Sequence, residues 1–328
     1  MDIGGTKVLG VAIDGTDEVV AEARVATPQG LADPAADDRR EMSAEVADAV
    51  AQVVGKLQLE LAGFAAGEVG PPVGVGAPGM LDRNGVLCFA PNLLGASGAD
   101  ILGLVRTRLP GVALVVENDA NCAAFAEHRR GAAVGAEHAL MITLGTGIGG
   151  GLVSGGRVLV GAFGFAGEVG HMLVDPSGPP CPCGRRGCWE RYASGGGLGR
   201  LAREAAYAGH LQSVVSLAGG DPEMVRGEHV TRAALEGEPG AVQVMEELGW
   251  WVALGLANLT AVLDPDRIVL GGGLTAAGER LLGPTRRAYA ELVEGAGSRP
   301  AVEIVPAVFG ERAGAVGAAM VARNGGLW

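Results

Sequence analysis

The stretch HALMITLGTGIGGGLVSGG, residues 138–156, decides the fold. It reads as a strand, a Gly-Thr-Gly turn, a second strand and a closing glycine turn. The opening DIGGTKVLGVAIDG, residues 2–15, has the same plan. Setting Thr143 against Asp2 pairs LGTG with IGGT, and the following strands then end at Ser154-Gly155 and Asp14-Gly15. One Gly-Gly turn is an ordinary hairpin signal. The pair is an internal duplication. Two related hairpins facing each other would clamp a polyphosphate from both sides. Gly4 and Gly5 permit the first turn, and Thr6 and Lys7 put a hydroxyl and an ammonium beside its N–H groups. That is the equipment of a phosphate cradle, and Asp2 is placed to hold a hydrated Mg2+. Thr146 and Gly147 occupy the second turn.

The remaining chain alternates strand and helix patterns. EVVAEARVAT predicts a strand, residues 28–40 a loop, and SAEVADAVAQVVGKLQLELAG (43–63) a helix capped by Ser43. PVGVGAPG (72–79) is a buried strand closing on a glycine turn at Gly79. VLCFAPNLLG (86–95) is a short strand ending at Asn92, and VALVVEN (112–118) reads as central and parallel because both faces are apolar. Glu117, Asn118 and Asp119 follow at its carboxyl end, where open α/β sheets bind ligands. Asp119 can also cap the next helix. DRIVLGGGL (266–274) is a strand entering the turn Gly271-Gly272-Gly273, where a flat base or ribose could approach the backbone. AGAVGAAMVAR (313–323) is a small-residue helix expected to pack closely on the N-terminal sheet.

A second chemical signal lies in GFAGEVGHMLVDPSGPPCPCGRRGCWE, residues 164–190. Cys181, Cys183 and Cys188 have C-x-C-x-x-x-x-C spacing, with His171 ten residues before the first. Soft thiolates plus one imidazole suit a tetrahedral Zn2+ site. Gly184 and Gly187 let so short a loop turn back on one ion. Glu168 and Glu190 flank the knot, and two carboxylates held apart suit the hydroxyls of a polyol.

Composition narrows the class. The chain has 328 residues, is 48% hydrophobic and carries 57 glycines, so it can bury a large core by close backbone approach. Net charge is −12 (25 − 37), which disfavours a nucleic-acid surface. Of five cysteines, Cys88 and Cys122 sit in apolar contexts and are expected to be small buried residues, which fits a reducing cytoplasm. No signal peptide is visible. The longest apolar run, WWVALGLANLTAVL (250–263), is too short and too polar to span a bilayer.

Together these motifs resemble the ROK family of repressors, open reading frames and sugar kinases, over nearly the whole chain. The resemblance is carried by DIGGTK at 2–7, ENDAN at 117–121, LGTGIGGG at 144–151, GEVGHM at 167–172 with CPCGRRGCWE at 181–190, and GGGL at 271–274, in family order. CWERYASG at 188–195 is most similar to the glucose-phosphorylating members. The resemblance implies an α/β actin-like ATPase (ribonuclease H-like) fold. It implies a small domain of 1–110 plus 312–328 and a large domain of 111–311 with the zinc loop, the active site lying in the cleft between them. The implied activity is ATP-dependent phosphorylation of a hexose, glucose first, with ATP, Mg2+ and structural Zn2+.

By the same resemblance Asp119 is the general base, and Gly79, Asn92, Asn118, Glu168, His171 and Glu190 line the sugar site. His171, Cys181, Cys183 and Cys188 bind zinc. Asp2, Gly4, Gly5, Thr6, Lys7, Thr146 and Gly147 serve the phosphates, and Gly271, Gly272 and Gly273 the adenosine. The expected partners are a sugar and ATP, with neither membrane nor nucleic acid, in a cytoplasmic homodimer or homotetramer. The apolar residues that precede the first Asp in that family are absent, so by the resemblance a start upstream of Met1, with room there for a helix-turn-helix, stays open. The rival readings are therefore a sugar-sensing repressor and a kinase for N-acetylglucosamine, N-acetylmannosamine, fructose or allose, or one using polyphosphate.

Overall fold

The computed structural model describes residues 1–28, 36–61, 71–90 and 97–327. In chain order the elements are β1 (Asp2–Ile3), β2 (Lys7–Ile13), β3 (Val19–Ala26), α1 (Ala36–Glu60), β4 (Val73–Ala77), β5 (Met80–Leu81), β6 (Val86–Phe89), β7 (Ala99–Asp100), α2 (Ile101–Arg108), β8 (Leu114–Asn118) and α3 (Asp119–Arg130). Then come β9 (Ala139–Leu144), β10 (Ile148–Ser154), β11 (Arg157–Val158), α4 (Glu190–Ala193), α5 (Gly195–Tyr207), α6 (Gln212–Leu217), α7 (Gly227–Leu235), α8 (Pro239–Leu263), β12 (Arg267–Gly271), α9 (Glu279–Leu292), β13 (Glu303–Pro306) and α10 (Ala313–Arg323). The chain forms two compact units. The first is Met1–Gly135, Gly151–Gly167 and Val308–Trp328; the second is Ala136–Gly150 and Glu168–Ala307.

The first unit is built on a sheet in the order β3-β2-β1-β4-β8. β1 and β2 are antiparallel, as are β2 and β3, while β4 runs parallel to β1 and β8. Period-two alternation sorts the side chains. Val8 joins Val46, Val50 and Val53 of α1 in one core, and Leu9 and Val11 pack on Val316 and Met320 of α10 across the other face. β4 shows why its sequence is VGVGA. Val73 and Val75 face the α1 core, whereas a Cβ on Gly74 would lie 1.8 Å from the Ala318 carbonyl oxygen. Likewise a Cβ on Gly317 would meet the Cys122 carbonyl oxygen at 1.8 Å. Helix α10 thus touches sheet and α3 backbone to backbone, as its small residues predicted.

Three local expectations fail here. α1 begins at Ala36, so Ser43 is a buried residue inside it and caps nothing. β8 is an edge strand among the described residues, not a central one; Val116 packs in the α1 core and Val115 beside Cys122 and Ala318, so both its faces meet apolar residues all the same. Cys122 is fully buried, but Cys88 is exposed.

In the second unit β12 lies between β9 and β13, parallel to both. The apolar run at 250–263 lies in α8, whose Val252, Leu256 and Leu259 are buried. Among the described residues no helix is long and apolar enough to cross a membrane.

Candidate active site and cysteine–histidine cluster

In the first unit, β8 delivers Glu117 and Asn118 directly to the head of α3. Asn118 is the cap, not Asp119: its side-chain oxygen accepts from Asn121 N at 3.0 Å. Its Nδ2 donates to the Gly79 carbonyl at 3.1 Å, which ties this junction to the turn after β4. Gly79 has φ of 96°, and a Cβ there would lie 2.3 Å from the Phe89 carbonyl oxygen, so only glycine fits. Asp119 is the first residue of α3, and its Oδ1 accepts from Ala120 N at 2.8 Å. Glu117 is buried and accepts from Asn118 N at 2.9 Å and Asn121 Nδ2 at 3.1 Å. Burial pushes its carboxyl up, against the pull of those donors. Asn92 lies outside the described residues.

The first glycine turn closes with Gly4 N donating to the Lys7 carbonyl at 2.9 Å. Thr27, just after β3, braces it: its hydroxyl donates to the Gly4 carbonyl at 2.6 Å and its N–H to the Thr6 carbonyl at 3.0 Å. The Lys7 ammonium is ion-paired with Glu311. Burial pushes the Asp2 carboxyl up to about 6, opposed by the chain's amino group and Lys7. Its carboxyl carbon would lie 2.8 Å from a Cβ on Gly314, so that glycine makes its room in α10.

The second turn, in the second unit, closes with Gly145 N donating to the Gly147 carbonyl at 3.0 Å. It too is braced. Gly195 N, opening α5, donates to the Gly145 carbonyl at 2.8 Å, and a Cβ on Gly196 would touch the Thr146 carbonyl oxygen at 3.4 Å. Gly272 has φ of 85°, and a Cβ there would fall 2.5 Å from the Leu144 carbonyl oxygen. Gly271 is tight against Met141, while Gly273 opens to free space.

The ligand atoms of His171, Cys181, Cys183 and Cys188 all lie within 4.8 Å of one another. Cys183 and Cys188 sulfurs are 3.5 Å apart, and Cys181 Sγ is 3.8 Å from His171 Nδ1. A tetrahedron with metal–sulfur bonds of about 2.3 Å has edges of about 3.8 Å, so this donor set fits Zn2+. Gly184 and Gly187 both have positive φ, at 87° and 68°, and a Cβ on Gly187 would fall 1.5 Å from the Asp175 carbonyl oxygen. His171 faces two ways: Nδ1 points into the cluster, and Nε2 lies 3.9 Å from Glu168. Glu190 Oε1 stands 3.1 Å from Cys181 Sγ and 3.8 Å from His171 Nδ1. Burial raises the Glu168 carboxyl; His171 opposes this and Glu190 adds to it.

Sequence reasoning missed the pillar under this loop. Trp189, between the last cysteine and Glu190, is fully buried and donates Nε1–H to the Trp251 carbonyl at 2.7 Å. Its indole lies on Gly255, where a Cβ would meet it at 2.0 Å. The signal was present as a glycine inside the apolar run of α8. Ser194 was missed as well: it accepts from Gly197 N at 3.2 Å and donates to the Glu190 carbonyl at 2.6 Å, coupling the Glu190 backbone to the helix that braces the second turn.

A carboxylate at the head of a helix, with a glycine hairpin duplicated along an α/β chain, is the framework of sugar kinases of the actin-like ATPase fold. The profile described as "ROK family" matches residues 1–324, and the chain belongs to the ROK family. It is 38% identical over 327 residues to a glucokinase of Streptomyces coelicolor, covering 99% of this chain and 96% of that one. The crystal structure of a ROK family glucokinase from Streptomyces griseus, in complex with glucose and AMPPNP, is 36% identical, covers 98% of each chain and superposes with a TM-score of 0.85. A ROK hexokinase from Thermus thermophilus is also 36% identical, covering 99% of this chain and 97% of that one, with a TM-score of 0.72.

Proposed function

We propose that this protein transfers the γ-phosphoryl group of ATP to the 6-hydroxyl of glucose. The observation that carries the reading is the duplicated glycine hairpin, in a chain 38% identical to a glucokinase over 99% of its length. Phosphoryl transfer asks for positioning and charge neutralisation more than covalent chemistry. In this reading the turns at Gly4–Lys7 and Gly145–Gly147 hold the phosphates, and Gly271–Gly273 give the adenosine room. Asp2 supplies the hard carboxylate oxygen that Mg2+ prefers, and bound Mg2+ would neutralise phosphate charge. Asp119 accepts the proton of the attacking hydroxyl, and Asn118, Glu168, His171 and Glu190 fix the sugar ring so that this hydroxyl is the one presented. Gly79 supports this through its hydrogen bond from Asn118.

His171, Cys181, Cys183 and Cys188 would hold Zn2+ in a closed, structural site, which would fix the loop bearing Glu168 and Glu190. His171 Nε2 is then left to the sugar side, beside Glu168. Replacing Cys183 with Ser should release the metal, read by a chromogenic chelator, and lower sugar kcat/KM by about 10- to 100-fold, the effect of disturbing the groups around a metal ligand. Metal-free protein with full activity would overturn the coupling. A reducing cytoplasm suits three thiols this close together, and a homodimer or homotetramer is the assembly we infer from the family.

The deciding experiment is ADP release with MgATP against glucose, fructose, mannose and the N-acetylhexosamines, with polyphosphate as an alternative donor. Turnover should be highest with glucose and ATP. Preference for an N-acetylhexosamine would replace the substrate while keeping the kinase, and no turnover on any sugar would leave a sugar sensor.

A further inference from the structure

At the far end of α3 from Asp119, the first unit has a second concentration of charge. A cavity of about 380 Å³ lies where the β2–β3 hairpin meets the last turns of α3 and α10. Arg129, Arg130 and Arg323 line it, with Asp17 as the one carboxylate among its lining residues. Three guanidinium groups around one cavity run against a chain of net charge −12. Asp17 accepts from Arg130 Nε at 3.1 Å through Oδ2 and from Arg323 through Oδ1. Its φ is 70°, at the turn that its N–H closes by donating to the Asp14 carbonyl at 3.2 Å, so the carboxylate sits at the hairpin tip. Asp14, the next carboxylate along, has its Oδ1 occupied by Thr16 N, the Thr16 hydroxyl and Glu18 N.

Arginine in the last turn of a helix complements the helix dipole. That accounts for Arg130 and Arg323, which also donate to the Thr16 and Asp14 carbonyls at 3.0 Å each. Arg129 lies in the last turn of α3 as well, but among the described residues no hydrogen bond ties its guanidinium down. Arg129 is exposed, lies over the Phe125 ring at 5.2 Å and takes part in no ion pair among the described residues. The three arginines and Asp17 leave a local charge of +2, over a floor that includes Phe125 and Met320.

We propose that this cavity binds the phosphate group of a small phosphorylated metabolite. A guanidinium fork matches phosphate oxygens two at a time; Arg129 offers one, beside the charges of Arg130 and Arg323, which Asp17 holds in place. The volume falls at the lower end of small-ligand sites, about 300–1,000 Å³, and exceeds what a bare phosphate fills. The site is separate from the catalytic one: Arg130 stands eleven residues along α3 from Asp119, about 16 Å at the helical rise. It therefore stands whether or not the kinase reading does.

The test is calorimetric titration of the whole chain, pre-saturated with AMPPNP–Mg2+, with glycerol 3-phosphate, inorganic phosphate and glycerol. Saturable binding of glycerol 3-phosphate is expected, tighter than that of inorganic phosphate, with none for glycerol. Arg129→Ala should weaken it about tenfold or more, the effect of removing one charge-assisted pair, while sugar kcat and KM stay unchanged. Arg129→Lys should restore part of the loss. The proposal is overturned if neither phosphate probe binds, or if Arg129→Ala leaves the affinity unchanged. Inorganic phosphate binding as tightly as glycerol 3-phosphate would mean an adventitious ion only, and would overturn it equally.

Discussion

The two glycine hairpins share a plan and differ in chemistry. In the duplicated register, Asp2 corresponds to Thr143 and Lys7 to Ile148. The first hairpin thus carries a half-buried carboxyl and an ammonium, and the second is neutral at both places. Their braces differ too. The first is tied down by Thr27, just after β3, through its hydroxyl and N–H, while among the described residues the second is held through backbone, by Gly195 and the close approach of Gly272. A single local design has been split between charge and shape. In the proposed reading the β1–β2 turn would answer phosphate and metal charge, and the β9–β10 turn would offer N–H groups at fixed positions.

If both hairpins only position phosphate, the largest single loss must come from neither. Asp119→Asn should lower kcat by about 10²- to 10⁴-fold, the range for a general base, with far less change in sugar affinity. Steady-state kinetics beside direct sugar titration would check it. Near-normal turnover would return the chemistry to the charged hairpin.

The next test concerns shape. Gly272→Ala should cost about 2–4 kcal/mol, from a left-handed backbone and a Cβ overlapping the Leu144 carbonyl. Gly5→Ala, where a Cβ meets nothing within 4 Å, should leave stability within about 0.5 kcal/mol while raising KM for ATP. Chemical denaturation of both variants separates them. Equal stabilities would mean that the second hairpin is not braced by close backbone approach.

Charge in the first hairpin predicts a pH effect that the second cannot show. The folded state holds the Asp2 proton more tightly than the unfolded chain does, since burial lifts its carboxyl from 3.8 to about 6. Its contribution to stability is therefore full below about pH 4 and is lost as pH rises through 6. The loss is no more than about 3 kcal/mol, at about 1.4 per pKa unit. Asp2→Asn should flatten the stability–pH curve between 4 and 6, and Thr143→Ala should not. Parallel curves for wild type and Asp2→Asn would refute the assignment.

How much of this was legible follows from the range of each interaction. The hairpins, the cysteine spacing and the Glu117–Asp119 junction are local, and they are where the sequence put them. The glycine alternation of β4 and the small residues of α10 were legible as close packing. Ser43 misled because the ADDRREM run before it lacks apolar periodicity, yet α1 extends through it. β8 misled because both faces of an edge strand can meet apolar residues. Cys88 misled because apolar neighbours in β6 do not say which face the thiol takes. Trp189 on Gly255 and Lys7 with Glu311 join residues far apart in sequence, and no local pattern specifies them.

That last pair gives the smallest and most specific effect. Glu311 sits on a short 3-10 turn, and the backbone N–H of Phe309, just before that turn, donates to the buried carboxylate of Glu127 at 2.9 Å. Without nucleotide, Glu311 supplies the anion that Lys7 pairs with. Lys7 in turn holds the Glu311 carboxyl below its ordinary value. In the proposed reading a phosphate binding at this turn would displace that carboxylate. The pair is largely exposed, so its worth is at most about 1 kcal/mol, or about fivefold in affinity. Glu311→Gln should therefore lower KM for ATP by up to about fivefold, with the gain fading at high salt, while Ile148, in the equivalent place, offers no charge to exchange. An unchanged KM in Glu311→Gln, with Lys7→Ala raising it, would show that Lys7 serves the phosphates without being held in reserve. If Lys7→Ala also changed nothing, the first hairpin would be gripping phosphate by its backbone alone, and the difference in charge between the two turns would not matter to binding.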